Sequence, residues 1–278
     1  MAETRLYSYL MGAIGGDIAG SEYEFDPIKT KAFPLFSSRC RFTDDTVMTL
    51  AVAKALVESD AHENVEEFKK VLVETMHEFG RRYPKAGYGV RFNDWLRLNG
   101  RKPYNSCGNG SAMRVSAVGW YARSLEEAEV LAKASAEVTH NHADGIAGAV
   151  ATAGTIYLAR TGESKDVIRE YVSRFYDLNF SLDEIRPTYD FEPCCDGTIQ
   201  PSVVAFLESD SYEDAIRNTV SLGGDADTMG AITGAIAEAY YGIPGELEAR
   251  AMSYLDDFLL NICDAFMECL SRQLPSDR

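Results

Sequence analysis

Gly223-Gly224-Asp225-Ala226-Asp227-Thr228-Met229-Gly230-Ala231-Ile232-Thr233-Gly234-Ala235-Ile236-Ala237-Glu238-Ala239-Tyr240 is the stretch on which the fold turns. Met229, Ile232, Ile236 and Tyr240 recur at helical spacing, while Gly230, Ala231, Gly234, Ala235 and Ala237 cover the other faces. A helix that is small or apolar all round offers water no polar face, so it belongs in a closely packed interior. Two carboxylates and a hydroxyl, Asp225, Asp227 and Thr228, stand at its entrance.

Outward from there, helical periodicity dominates. Asn64-Val65-Glu66-Glu67 and Ser124-Leu125-Glu126-Glu127 place a capping side chain three residues before a Glu, which satisfies free amides at a helix start. Phe68, Val71, Leu72, Met76 and Phe79 follow the first; Ala128, Leu131, Ala132 and Val138 follow the second. Ala251, Leu255, Phe258, Leu259, Ile262, Phe266 and Leu270 predict one more long helix, and the pattern extends to 5–20, 45–59, 111–122, 143–160, 165–177 and 199–208. Ser202 to Leu207 also reads as a buried strand, without a partner nearby. Segments 21–42, 81–110 and 179–198 read as loops. The expectation is all-α: one compact multi-helix domain over residues 1–278.

Composition narrows the function. The chain has 278 residues with 43 acidic and 27 basic side chains, a formal charge of −16. That excess repels phosphate backbones and anionic lipid, so neither nucleic acid nor a membrane is an expected partner. No apolar run reaches the ~20 residues a spanning helix needs, and the amino end lacks a secretory pattern, so a cytoplasmic protein is expected. The six cysteines form no C-x-x-C pair and read as scattered thiols, mostly buried, in a reducing compartment.

A second acidic cluster, Phe42-Thr43-Asp44-Asp45-Thr46, also opens an apolar helix. Each cluster alone reads as a helix start, where Asp and Thr oxygens accept from free amides. One cap needs one oxygen, however, and each cluster carries three or more. Were the two to meet, the carboxylates would repel unless a cation sat among them, and oxygen-only donors suit Mg²⁺, Mn²⁺ or Ca²⁺. An EF-hand is excluded, since Met229 and Ile236 fall where ligands are required. Gly12, Gly15, Gly16 and Gly20 lack the Gly-Lys-Ser/Thr of a phosphate loop and fit a close helix–helix contact instead. Asn105-Ser106-Cys107-Gly108-Asn109-Gly110-Ser111 opens a helix and is a candidate anion site.

In order, Gly15-Gly16-Asp17-x-x-Gly20-Ser21-x-x-Glu24, Phe42-Thr43-Asp44-Asp45-Thr46, Gly108-Asn109-Gly110-Ser111-Ala112-Met113-Arg114, Thr139-His140-Asn141-His142 and Gly223-Gly224-Asp225-Ala226-Asp227-Thr228 resemble the ADP-ribosylglycohydrolase family, over about residues 5–245. The resemblance implies an all-α fold with two Mg²⁺ (or Mn²⁺) at the base of a cleft, and ADP-ribose and ADP-ribosylated protein as partners. It implies Thr43, Asp44, Asp45, Asp225, Asp227 and Thr228 as metal ligands and Glu24 as the catalytic acid/base. It further implies Asn105, Ser106, Cys107, Gly108 and Asn109 around the pyrophosphate and distal ribose, and His140 near the phosphates. His142 reads equally as a helix cap. Asn105 stands near the position where nitrogenase-type members carry an aspartate base, and the loop resembles that of the serine-type hydrolases. The implied reaction cleaves the bond between ADP-ribose and a serine or arginine side chain; the competing reading is a non-catalytic ADP-ribose binder or structural relative.

Overall fold

The computed structural model describes residues 9–273. In chain order the helices are α1 (Met11–Gly20), α2 (Asp44–Glu58), α3 (Val65–Arg82), α4 (Val90–Arg97), α5 (Gly110–Met113), α6 (Ser116–Tyr121), α7 (Leu125–Glu137) and α8 (Ala143–Arg160). They continue with α9 (Lys165–Val172), α10 (Leu182–Ile185), α11 (Cys195–Leu207), α12 (Tyr212–Val220), α13 (Ala226–Tyr241), α14 (Gly245–Met252) and α15 (Asp257–Gln273). Among the described residues there is no strand; one isolated antiparallel bridge pairs Gly108 with Cys194.

The stretch that opened the sequence reading is α13, buried from Ala226 to Glu238. It lies antiparallel against α1 with the two backbones touching. A Cβ added at Gly16 would sit 1.9 Å from the Gly230 carbonyl oxygen, and one at Gly234 2.1 Å from that of Gly12. One at Gly20 would sit 2.1 Å from the oxygen of Ala226. Only hydrogen fits in this seam. Glu238 locks it at the far end, accepting from the backbone N–H groups of Gly12 (2.9 Å) and Tyr9 (3.1 Å), amides that the start of α1 leaves free. At the near end, the seam brings the last turn of α1 and the segment after it to the first turn of α13.

Two apolar clusters flank the seam. One gathers Val47, Leu50, Phe68, Phe79 and Phe266 from α2, α3 and α15; the other gathers Ile156, Ile199, Val203, Ile216 and Ile232 from α8, α11, α12 and α13. Phe36, Trp120 and Ile243 pack against both. Asn64 and Ser124 cap their helices as expected, accepting from Glu67 and Glu127 N–H at 3.0 and 3.1 Å.

Several boundaries differ from the sequence reading. Ser202 to Leu207 is helical, the second half of α11, with Pro201 inside the same helix; the strand reading fails because burial on all sides removes the period that tells the two apart. The stretch 111–122 is broken at Arg114 and Val115 into α5 and α6. The last long helix is two, because Asp256 starts α15 afresh by accepting from Leu259 N–H at 3.0 Å. Short helices α4 and α10 lie within segments read as loops. Residues 5–8 of the first expected helix lie outside the described residues.

Candidate active site

Three helix ends meet at one cleft. Asp17, in the last turn of α1, is fully buried and accepts from Thr43 N–H (2.9 Å), Thr43 Oγ1 (2.7 Å), Thr46 N–H (3.1 Å) and Thr46 Oγ1. It therefore fastens the start of α2, which carries Asp44 and Asp45. The seam delivers Asp225, Asp227 and Thr228 at the start of α13. Carboxylate oxygens of Asp17, Asp45 and Asp227 lie within 4.8 Å of one another, as do those of Glu24, Asp225 and Asp227. Thr228 Oγ1 donates to Asp45 Oδ2 at 3.3 Å, across 183 residues of chain.

Such crowding has an electrostatic consequence. Burial pushes Asp44, Asp45 and Asp225 well above the usual carboxylate range, and the charge on Asp227 adds to it in each case. Burial, then Asp227, pushes Asp17 up to about 7. Burial, then Asp227 and Asp44, pushes Glu24 up to about 8. The two helix starts now separate as well. Thr43 caps α2 by accepting from Asp45 N–H, whereas Asp225, at the cap position of α13, makes no side-chain cap bond. Asp45 Oδ1 is buried without a hydrogen-bond partner. An orphaned buried oxygen amid repelling carboxylates and hydroxyls fits a hard divalent cation. Asp17, whose oxygens already take four donors, is an anchor for α2.

The cleft is lined by Glu24, Asp44, Asp45, Asp225, Asp227 and Thr228, together with Ser106, Gly108, Asn109, Gly110 and His140. Thr43 lies beneath them, 2% exposed. Asn105 and Cys107 are not among the lining residues: Asn105, at φ +54°, donates its backbone N–H to Asn141 Oδ1, and the Cys107 thiol faces Cys194. Asn109 Nδ2 donates to Asp225 Oδ2 at 2.7 Å, so this side chain orients a carboxylate. His140 is buried, and burial, with Arg114 and Arg91 nearby, holds its imidazole neutral. His142 is the cap of α8, accepting from Asp144 N–H at 3.2 Å. Burial of the thiols holds for Cys40, Cys195 and Cys263, while Cys107, Cys194 and Cys269 are partly exposed.

Further residues belong to the cleft that the sequence reading left without a role. Arg114 is 1% exposed, yet lines it. Its guanidinium donates to Ser135 O and Thr139 Oγ1, both at 2.9 Å, and although burial lowers it to about 10 it stays charged at neutral pH. Arg91 lies over the Tyr104 ring at 4.9 Å, and both line the cleft. Phe191 and Pro193 line it too.

A sequence model of the ADP-ribosylglycohydrolases matches residues 2–275. The chain belongs to the ADP-ribosylglycohydrolase family. By that membership it is a hydrolase of ADP-ribosyl linkages. Among relatives of this glycohydrolase, the ADP-ribosylhydrolase ARH3 of Homo sapiens is 25% identical, covering 86% of each chain. The ADP-ribosyl-[dinitrogen reductase] glycohydrolase of Rhodospirillum rubrum is 27% identical over 78% of this chain and 74% of its own. The ADP-ribosylarginine hydrolase Tri1 of Pseudomonas putida is 26% identical over 85% and 70%. An ADP-ribosylglycohydrolase-related protein of solved structure shares the fold, with a TM-score of 0.71 at 21% identity over 96% of this chain and 97% of that one. No helix of the described residues is long and apolar enough to cross a membrane.

Proposed function

We propose that this glycohydrolase removes ADP-ribose from an oxygen-linked side chain, serine foremost, using Glu24 as the general acid and divalent cations held by Thr43, Asp44, Asp45, Asp225, Asp227 and Thr228. The observation that carries this reading is the convergence of the two acidic clusters beside Glu24, with Asp45 Oδ1 left unpaired. Mg²⁺ or Mn²⁺ there would supply Lewis acidity, holding the distal ribose hydroxyls and acidifying a water.

The residues of the chain supply the rest. Glu24 sits half-buried among carboxylates, and burial together with their charge pushes it up to about 8, where it can hold a proton to donate; cations held among its neighbours would offset their repulsion, while burial would still favour the protonated form. Water attacks C1 of the distal ribose through an oxocarbenium-like state. The C1–O bond to the acceptor breaks, the Glu24 proton passes to the departing serine oxygen, and the proton shed by water returns to Glu24. An alkoxide is a poor leaving group, so a placed acid matters most for this linkage. The 106–110 loop, with Arg91 and Arg114, gives the diphosphate close-range partners in a protein whose net charge would otherwise repel it. Asn105 has no carboxylate to serve as a base, which supports an acceptor other than that of the nitrogenase-type members. The cytoplasm is the compartment proposed for this activity.

The test is release of ADP-ribose from serine-linked, arginine-linked and O-acetyl-linked substrates, each with Mg²⁺ and after stripping with EDTA. Full activity of the stripped enzyme overturns the cation assignment. Preference for the arginine adduct overturns the acceptor. Tight ADP-ribose binding with no release from any substrate leaves the non-catalytic reading in place.

A further inference from the structure

Cys107 and Cys194 lie 87 residues apart in sequence, yet their Sγ atoms approach to 3.1 Å. The backbone already holds them together. Cys195 N–H donates to Cys107 O at 3.1 Å, Asn109 N–H donates to Pro193 O at 2.9 Å, and Gly108 pairs with Cys194 between them. Both thiols are partly exposed, whereas the adjacent Cys195 is buried and donates to Gly108 O at 3.2 Å. The sulfurs are only about 1 Å farther apart than the ~2.05 Å of a disulfide. On either side of the pair lie residues of the cleft: Ser106 and Gly108 in one strand of chain, Pro193 in the other.

We infer that Cys107 and Cys194 are a peroxide-sensitive dithiol whose disulfide staples the substrate loop to the start of α11 and so governs the cleft. The contact between the two thiols, with some burial, pushes the Cys194 thiol up to about 11, and either sulfur can be the first to attack. One sulfur displaces water from the peroxide O–O bond to give a sulfenic acid. The other sulfur then displaces the second water. Two thiols lose two electrons and two protons, and one hydrogen peroxide becomes two waters.

Closing the last ~1 Å draws the loop toward α11. Asn109, two residues along, holds Asp225, and Gly108 and Gly110 lie against His140. Displacements of about 1 Å near reacting groups cost up to ~10²-fold in rate. Oxidation is therefore expected to lower turnover between about fivefold and 100-fold, with recovery in dithiothreitol. The functional half rests on the assignment of the loop to substrate; the bond itself does not.

The experiment exposes the full chain to hydrogen peroxide, alkylates remaining thiols without unfolding, and maps disulfides by peptide mass, alongside ADP-ribose release. The expected result is a Cys107–Cys194 cross-linked peptide, absent from Cys107→Ser and from Cys194→Ser, with Cys194→Ser retaining its turnover under peroxide. Several results overturn the inference: both thiols still alkylatable, sulfinic acid without a cross-link, a Cys194–Cys195 bond instead, or a cross-link that leaves turnover unchanged. A cross-linked peptide from a protein that releases no ADP-ribose in either redox state would count against the proposed function and leave the dithiol standing.

Discussion

Replacing Gly16 with alanine is expected to force the central helices apart. The added Cβ would meet Gly230 O at 1.9 Å and Gly230 C at 2.4 Å, both backbone atoms with no side chain to swing aside. Restoring an ordinary contact means parting α1 from α13 by roughly 1–1.5 Å, in an interior that is close-packed. Alanine's better helix propensity returns at most about 1 kcal/mol. Overpacking of cores costs about 1–3 kcal/mol, and a clash between backbones belongs at or beyond the upper end. The net loss is about 2 kcal/mol, which in a chain of this length lowers the melting temperature by about 3–4 °C. The same displacement carries Asp227 away from Asp17 and Asp45, so the stabilisation gained from added Mg²⁺ should shrink as well. Thermal unfolding in EDTA and in Mg²⁺ measures both effects, with Gly89→Ala as the control because its added Cβ meets nothing within 4 Å. A Gly16→Ala protein that melts within about 1 °C of the parent and keeps its full Mg²⁺ response refutes the reasoning.

Other perturbations address the chemistry. Asp45→Asn removes a charge from a repelling cluster, so it is expected to leave the EDTA-treated fold at least as stable, erase the Mg²⁺-induced shift in melting, and cut turnover by on the order of 10²-fold or more; a retained Mg²⁺ shift would contradict the ligand assignment. Glu24→Gln should lower turnover by about 10²–10⁴-fold while ADP-ribose affinity, measured calorimetrically, stays within about threefold; a large loss of affinity with turnover intact would reassign the residue. Without cations, stability should depend on pH in a defined direction. Asp17 rises from 3.8 to about 7 and Glu24 from 4.5 to about 8 on folding, so the folded chain holds these protons more tightly than the unfolded one. Their contribution is complete below the unfolded values and fades as pH climbs through the folded ones. EDTA-treated protein should accordingly melt lower at pH 8.5 than at pH 5.5, and Mg²⁺ should narrow the gap; a higher melting temperature at pH 8.5 in EDTA would be inconsistent with the crowding.

What the sequence disclosed followed from how strongly each element is patterned. α13 is legible because no polar face competes with its small apolar ones, and the helix expected over 143–160 has the bounds of α8. α4 hides in a glycine-rich stretch and buries only Phe92 and Trp95, too little to make a period. α12 carries a readable start in Ser211, whose hydroxyl accepts from Asp214 N–H, and Tyr212, Ala215, Ile216 and Val220 at helical spacing, but its nine residues are too few for the period to stand out. The acidic clusters were visible one at a time; their meeting is a tertiary fact that spacing alone does not encode, and it was the resemblance to a family that joined them. Asp17 stands in the glycine motif without a role of its own, because a lone Asp inside a small-residue helix gives no sign of what it will fasten. Arg114 likewise gives no sequence signal of being buried. Cys107 and Cys194 looked scattered because only the fold sets loop 105–109 beside the start of α11.

The seam between α1 and α13 also governs when the cleft comes into being during synthesis. Asp45 emerges from the ribosome 183 residues ahead of the Thr228 hydroxyl that it will accept from. At typical translation rates that interval is roughly 10–40 s. Throughout it, α1 has no partner for its glycine face, and Asp17, Glu24, Asp44 and Asp45 repel only one another, without the further charge of Asp225 and Asp227, so the nascent amino-terminal third bears only part of the electrostatic strain of the finished cleft. The remainder, and with it the complete set of proposed cation ligands, arrives late, when α13 slides into place.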